Sequence, residues 1–362
     1  MSLQDIEKAW RYGWMRLIGA MSAGDRVATP PAWSDREWSV LYTRTQGIGD
    51  MILATGILRA IARAQPTIAL DVLTSPAAAP VLEGNPYVRR VLTRPRSAAG
   101  LAQLVRTIRR SKYDVLIDGK ITRGAAFIRS PALAAVSRAP YRIGVGGGHH
   151  HLVFNLCVER FDRTSTHMVD GSAPLARPFV PHIEEADLRP EIFLTEREIG
   201  DACRAWSAAD GDDASHDERW LVNISAGSPV RRWPNERWVA LIRHLRARCP
   251  AATVAVIGSI AEWSSVREVA LASGVAAVNT ESLRSALAMV ASSAHVITAD
   301  TSITHAASAF RVPTVVLLQC GLNQWLPWHV PHSVAYWSGS TIESLSVPVA
   351  CDALDALLHS NA

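Results

Sequence analysis

Short apolar runs alternate with amphipathic stretches along most of the chain. From residue 38 onward, segments 39–44, 69–74, 88–92 and 114–117 have the length and apolar character of strands. Between them, 51–64 and 101–110 repeat apolar residues at helical spacing, and 77–83 predicts a short helix. The same alternation restarts beyond the polar stretch 210–217. There, 220–225, 253–257, 276–278, 295–298 and 314–318 predict strands. Segments 235–248, 261–272, 283–291 and 305–310 predict the helices between them. Apolar strands separated by helices imply parallel sheets covered on both faces. The expectation is therefore an α/β chain with two Rossmann-like parallel-sheet domains in series, facing across a cleft. Ligands of open α/β sheets bind at the carboxyl ends of the strands.

Ahead of this pattern, residues 3–22 predict a separate helix. Ile6, Trp10, Trp14, Leu17 and Met21 fall on one face, with Lys8, Arg11 and Arg16 among them. Such a helix either packs on the domain body or lies on an anionic membrane surface with its tryptophans at the lipid boundary. Pro30 and Pro31 end it. The expected organisation is a lead-in at 1–36, a first domain at 37–185, a second at 186–340 and a helical tail at 341–362. The proline- and acid-containing stretch 178–189 reads as the linker.

Composition narrows the function classes. The chain has 362 residues, 48% hydrophobic and 19% charged, which excludes extended disorder. No apolar run reaches the roughly 18 residues of a membrane span, and the first residues lack a signal-peptide pattern. Cys157, Cys203, Cys249, Cys320 and Cys351 are scattered, without metal-ligand spacing, which fits a reducing cytosol. The net charge of +4 suits a phosphate-bearing ligand and is too dispersed for nucleic acid. Three consecutive histidines, His149 to His151, follow a glycine-rich run. Adjacent side chains rarely converge on one ion, so no metal is expected there.

Four segments carry candidate chemistry. In T-R-T-Q-G-I-G-D-M-I-L-A-T (43–55), a strand leads through Gly47 and Gly49 into a helix. The glycines favour a tight turn, and free amides at a helix start suit a phosphate or sugar oxygen. Ile52 stands where a dinucleotide fingerprint needs its third glycine, which disfavours a Rossmann oxidoreductase. Asp50 is either a helix cap or a general base at the mouth of the cleft. In V-N-I-S-A-G-S-P-V-R-R-W-P (222–234), a strand ends in the small residues Ser225, Ala226 and Gly227, followed by Arg231 and Arg232. Small residues allow close backbone approach, and arginines fork onto phosphate oxygens. In T-A-D-T-S-I-T-H (298–305), Asp300, Thr301 and Ser302 form a polar loop ahead of a helix, a second anion cradle. His305 beside it is either structural or a hydrogen-bond donor. In D-G-K-I-T-R (118–123), Lys120 and Arg123 either reach an acidic or sugar acceptor or lie in solvent.

These segments, taken in chain order, resemble the bacterial heptosyltransferases of glycosyltransferase family nine, which have the GT-B architecture. The resemblance runs from about residue 38 to 328. It also takes in D-V-L-T-S-P-A-A-A-P-V-L-E-G-N-P-Y-V (71–88), Y-D-V-L-I-D-G-K (113–120), H-M-V-D (167–170) and A-S-A-F-R-V-P-T (307–314). It implies an inverting, metal-independent transfer, without cofactor, from a nucleotide sugar. The typical donor is ADP-heptose and the typical acceptor the lipopolysaccharide core. Asp50 matches the family's catalytic aspartate. Arg231 falls where a phosphate-binding lysine is usual, with Arg232 beside it. Ser225, Ala226, Gly227, Asp300, Thr301, Ser302 and His305 fall on the donor loops. Gly47, Gly49, Lys120 and Arg123 fall to the acceptor side. Ser302 replaces a common glycine, Gln46 and Gly47 replace small hydroxyl residues, and G-L-N-Q-W-L-P-W (321–328) departs from the usual ending. These departures leave the exact donor and acceptor open. Alternatives are another GT-B reaction, such as hexosyl transfer to O-antigen, capsule or protein, or a non-catalytic nucleotide-sugar binder. The predicted partners are a nucleotide sugar, a lipid-linked or glycan acceptor and an anionic membrane at its cytosolic face.

Overall fold

A computed structural model describes residues 29–121, 129–146, 150–162, 164–210 and 219–360, with Gly13, Arg16 and Leu17. Most of the helix expected at 3–22, Arg123 and His149 lie outside the described residues. The chain divides into two compact units between Arg189 and Pro190.

The first unit holds six strands: β1 (Trp38–Arg44), β2 (Ile68–Thr74), β3 (Arg90–Thr93), β4 (Val115–Asp118), β5 (Tyr141–Val145) and β6 (Leu156–Val158). They form one parallel sheet in the order β3-β2-β1-β4-β5-β6. Helices α1 (Ile48–Ala64), α2 (Ala98–Ser111) and α3 (Arg129–Ser137) accompany it. On one face Leu41, Leu73 and Leu116 meet Ile108, Tyr113 and Phe154 in a buried cluster. Helix α1 is buried continuously from Met51 to Ile61, as its nearly unbroken apolar sequence requires. Its outer side is fastened to the end of the unit, where Arg59 Nη2 donates to the Ala186 and Asp187 carbonyls at 2.7 and 2.9 Å. Gly56 has no room for a side chain, since a Cβ there would lie 2.0 Å from the Leu188 oxygen. The stretch 178–189 is thus packed on this unit, with Trp33 Nε1 also donating to the Pro178 carbonyl at 2.6 Å.

Strands β5 and β6 were not expected. Arg142 interrupts the apolar pattern of β5, yet it is buried. Its Nε and Nη1 donate to the Val153 and Ala139 carbonyls at 2.7 and 2.6 Å, so a charge sits in the layer with its donors satisfied.

The second unit repeats the architecture. Its strands are β7 (Arg219–Asn223), β8 (Thr253–Ile257), β9 (Ala276–Ala277), β10 (His295–Ala299), β11 (Thr314–Gln319) and β12 (His332–Trp337). They pair in parallel in the order β12-β11-β10-β7-β8-β9. The helices are α4 (Glu196–Asp210), α5 (Asn235–Arg248), α6 (Trp263–Ser273), α7 (Leu283–Ala291), α8 (Ser302–Phe310) and α9 (Val347–Ser360). Trp233 and Trp238 cross edge to face at 5.0 Å within the core. Ala350, Leu354 and Leu357 of α9 are buried in the same core. Helix α4 was also not expected. A capping box opens it, with Glu198 N–H donating to Thr195 Oγ1 at 3.2 Å and Thr195 N–H to the Glu198 carboxylate at 2.8 Å.

Both sheets reverse their strand order beside their first strand, between β1 and β4 and between β7 and β10. In doubly wound sheets the carboxyl ends of the strands at such a reversal form the ligand-binding crevice. Among the described residues, no helix is long and apolar enough to cross a membrane.

Candidate functional site

The reversal point of the first sheet gathers the first set of expected residues. Strand β1 ends at Arg44, and Gly47 is the N-cap of α1. Asp50 is therefore the third residue of the helix and not its cap. Its Oδ2 still accepts the Gly47 N–H at 3.1 Å, while Oδ1 pairs with Arg44 Nη2. The Asp50 side chain is 22% exposed and that of Arg44 only 5%. Arg44 Nη1 donates to the Gly119 carbonyl just beyond β4, so one buried guanidinium bridges the two strand ends and holds the carboxylate. A partly exposed carboxylate fixed at this place can accept a hydrogen bond from a ligand hydroxyl.

Lys120 adjoins this group. Its main-chain N–H donates to Asp118 Oδ1 at 3.1 Å. Burial lowers the Lys120 pKa, and Arg44 lowers it further, against the pull of Asp118 and Asp50. Burial pushes the Tyr42 hydroxyl up to about 12. Gly119 is required here, since a Cβ would lie 2.5 Å from that hydroxyl and 2.9 Å from the Thr43 carbonyl oxygen. The turn expected at Gly47 and Gly49 makes no such demand. Gly47 has φ −69°, and a Cβ there would meet only Asp50 Oδ2, at an ordinary 3.4 Å. Gly49 lies inside α1.

The reversal point of the second sheet gathers the rest. Strand β7 ends at Asn223 and leads through Ser225, Ala226 and Gly227 into a 3-10 turn at Pro229–Arg231. Strand β10 ends at Ala299, and Thr301 caps α8, its Oγ1 accepting the Ile303 N–H at 3.2 Å. That cap starts the helix at Ser302, three residues before the expected start. Arg231 Nη1 donates to both the main-chain oxygen and Oδ2 of Asp300, each at 2.8 Å. Asn223 Nδ2 ties the two strand ends, donating to Thr298 Oγ1 at 2.9 Å and Thr301 Oγ1 at 3.3 Å. His305 is buried one turn into α8. The nine-residue helix thus directs its positive end toward the place where Arg231 stands.

Glu262 was missed from sequence. It follows β8 in a strand, small-residue loop and helix pattern like that of the neighbouring segment. Its Oε2 accepts the hydroxyls of Ser225 and Ser259 at 2.8 and 2.6 Å, and Arg232 Nε lies 3.3 Å from Oε1. A cavity of about 310 Å³ opens here, lined by Ile224, Ala226, Arg232, Trp233, Ser259 and Glu262. A carboxylate beside two hydroxyls at a cavity wall suits ligand hydroxyl groups.

Two doubly wound parallel sheets in series, each with polar groups at its reversal point, define an α/β protein of GT-B type. Residues 101–321 match Glycosyltransferase family 9 (heptosyltransferase); the chain belongs to that family and is a glycosyltransferase. It is 22% identical over 311 residues to lipopolysaccharide heptosyltransferase 2 of Escherichia coli, covering 77% of this chain and 82% of that one. Among solved structures it resembles a family 9 glycosyltransferase from Veillonella parvula, with a TM-score of 0.74 and 18% identity over 91% of this chain and 99% of that one. It also resembles an E. coli heptosyltransferase determined with ADP-2-deoxy-2-fluoro heptose, with a TM-score of 0.67 and 18% identity over 90% and 100% of the two chains.

Proposed function

We propose that the protein transfers a heptose, or a closely related sugar, from an ADP-sugar to a lipopolysaccharide-core or related surface-glycan acceptor. Transfer proceeds with inversion and without a bound metal, at the cytosolic face of the membrane. The observation that carries this reading is the placement of the cationic Arg231 against Asp300 at the start of α8. A leaving diphosphate needs such a group of fixed charge and amides. The names of the relatives support the choice of heptose.

In this mechanism Asp50 takes the proton of the acceptor hydroxyl. The hydroxyl oxygen forms its bond to the anomeric carbon as that carbon's bond to the diphosphate oxygen breaks. One displacement inverts the centre and leaves no covalent intermediate. The charge released on the diphosphate is met by Arg231, Arg232, the first amides of α8 and His305. Arg231 reaches Asp300 through Nη1, and its Nη2, beside Gly227, donates to a phosphate oxygen of the donor. Glu262, with Ser225 and Ser259, takes the hydroxyls of the nucleoside. Lys120 and Arg123 supply positive charge for an anionic acceptor.

A donor screen tests the proposal. ADP-heptose is expected to support transfer, and UDP-sugars are not. Asp50→Asn is expected to lower kcat by about 10²- to 10⁴-fold, the usual contribution of general base catalysis, while ADP binds as before. Transfer at the parent rate by Asp50→Asn would refute the base assignment. Preference for a UDP-hexose would refute the donor.

A further inference from the structure

The proposed chemistry leaves one structured segment at the carboxyl end of β11 without a role. After Gln319 the chain passes through Gly321, at φ 81°, into a 3-10 turn at Asn323–Trp325 and on to Trp328. The segment is pinned along its length. Cys320 N–H donates to the Trp337 carbonyl at 2.8 Å, Tyr336 Oη–H to Asn323 Oδ1 at 2.9 Å, and Trp328 N–H to Ser308 Oγ on α8 at 2.8 Å. Gln324, Pro327 and Trp328 are buried, whereas Trp325 is only partly so. Its indole lies 5.9 Å from the His305 ring, centroid to centroid, tilted by 51°.

The consequence follows from position. His305 stands one turn beyond the start of α8, and Asp300 and Arg231 meet just ahead of that start. An indole held on a pinned turn beside His305 therefore borders the place assigned to the diphosphate. A sugar attached to that diphosphate has a face of C–H groups, and an aromatic ring buries such a face at little cost in side-chain freedom.

We propose that Trp325 is the platform on which the donor's sugar ring rests, and that it selects the sugar while leaving the nucleoside diphosphate untouched. This rests on the nucleotide-sugar reading above. Trp325 adds a specificity element on the β11 side that the phosphate-binding groups do not supply.

The test compares ADP with ADP-heptose by titration calorimetry on the full chain and its Trp325→Ala and Trp325→Phe variants. Trp325→Ala is expected to bind ADP within twofold of the parent and ADP-heptose at least tenfold more weakly. Trp325→Phe keeps a flat aromatic ring and is expected to recover most of that loss. Equal weakening of ADP and ADP-heptose by Trp325→Ala, or no weakening of either, would overturn the platform. If the parent binds ADP but gains nothing from the attached sugar, the platform also falls while nucleotide binding stands. If the parent fails to bind ADP at all, the ADP-sugar reading falls, and the platform with it.

Discussion

Arg231 and Asp300 are 69 residues apart in sequence, and the Arg231 guanidinium meets both the main-chain and the side-chain oxygen of Asp300 at 2.8 Å. The contact joins the loop after β7 to the loop after β10, so it orients the cation at the very point where the sheet reverses. A charged hydrogen bond of this kind is worth about 1.5–3 kcal/mol. Arg231→Ala is expected to lower kcat/KM for the donor by at least that amount, roughly 10- to 150-fold. Arg231→Lys keeps the charge without the fork and is expected to fall between. Steady-state kinetics at varied donor concentration checks both.

Lys120 offers a pH signature. Burial and Arg44 lower its pKa from the ordinary lysine value of 10.5, so its ammonium loses its proton at a lower pH than an exposed lysine. If the charged form binds an anionic acceptor, acceptor KM rises on the alkaline side as the pH climbs through that lowered value. Lys120→Arg carries a charge that persists at high pH, and its alkaline rise is expected to disappear or move upward. A pH profile of acceptor KM that is the same for both proteins would remove Lys120 from acceptor binding.

Stability has its own linkage. The Glu198 pKa falls from 4.5 to about 2, first through the hydrogen bonds from Arg284, against desolvation and with further help from Thr195. Arg284 Nε and Nη2 both reach this carboxylate at 2.6 Å. Because the folded value is depressed, the stabilisation is full above pH 4.5 and is lost as the pH falls toward 2. Glu198→Gln is expected to cost about 1–2 kcal/mol at pH 7, reduced by the partial solvation of the carboxylate. Urea melts at pH 7 and pH 3 check this. The gap between the parent and the variant should narrow at the lower pH.

The lead-in divides into two parts. Trp33 packs on Trp38 at 4.9 Å and on Phe179 at 4.5 Å, and is buried. Removing residues 1–28 is expected to abolish binding to anionic vesicles and spare transfer to a soluble acceptor. Removing residues 1–36 also takes Trp33, at a cost of about 3–5 kcal/mol. Vesicle flotation and thermal melts of the two truncations separate anchoring from packing. Equal vesicle binding by the parent and the shorter truncation would reject the anchor.

Where apolar periodicity is clean, the chain's architecture is plain in its sequence. The bounds of α5, β8 and α7 coincide with those expected from spacing. Strand β5 escaped because Arg142 breaks its pattern, its charge being met by main-chain carbonyls at Ala139 and Val153 on either side of the strand. Strand β12 escaped because His332, Ser333 and Tyr336 make it look polar along its length. The candidate residues after β1, β4, β7 and β10 were visible as small and charged residues following strands. Their partnerships were not visible. Arg44 meets Gly119 only because β1 and β4 are neighbours, and Glu262 meets Ser225 only because β7 and β8 are.

Helix α1 presses Gly56, at its midpoint, against the main chain at Leu188 and carries Asp50 in its first turn. A single methyl group at position 56 would act as a wedge that lifts this rod, and its first turn with it. Gly56→Ala is expected to impair turnover through a displaced proton acceptor, a loss that kinetics would register although every reacting group stays chemically unchanged.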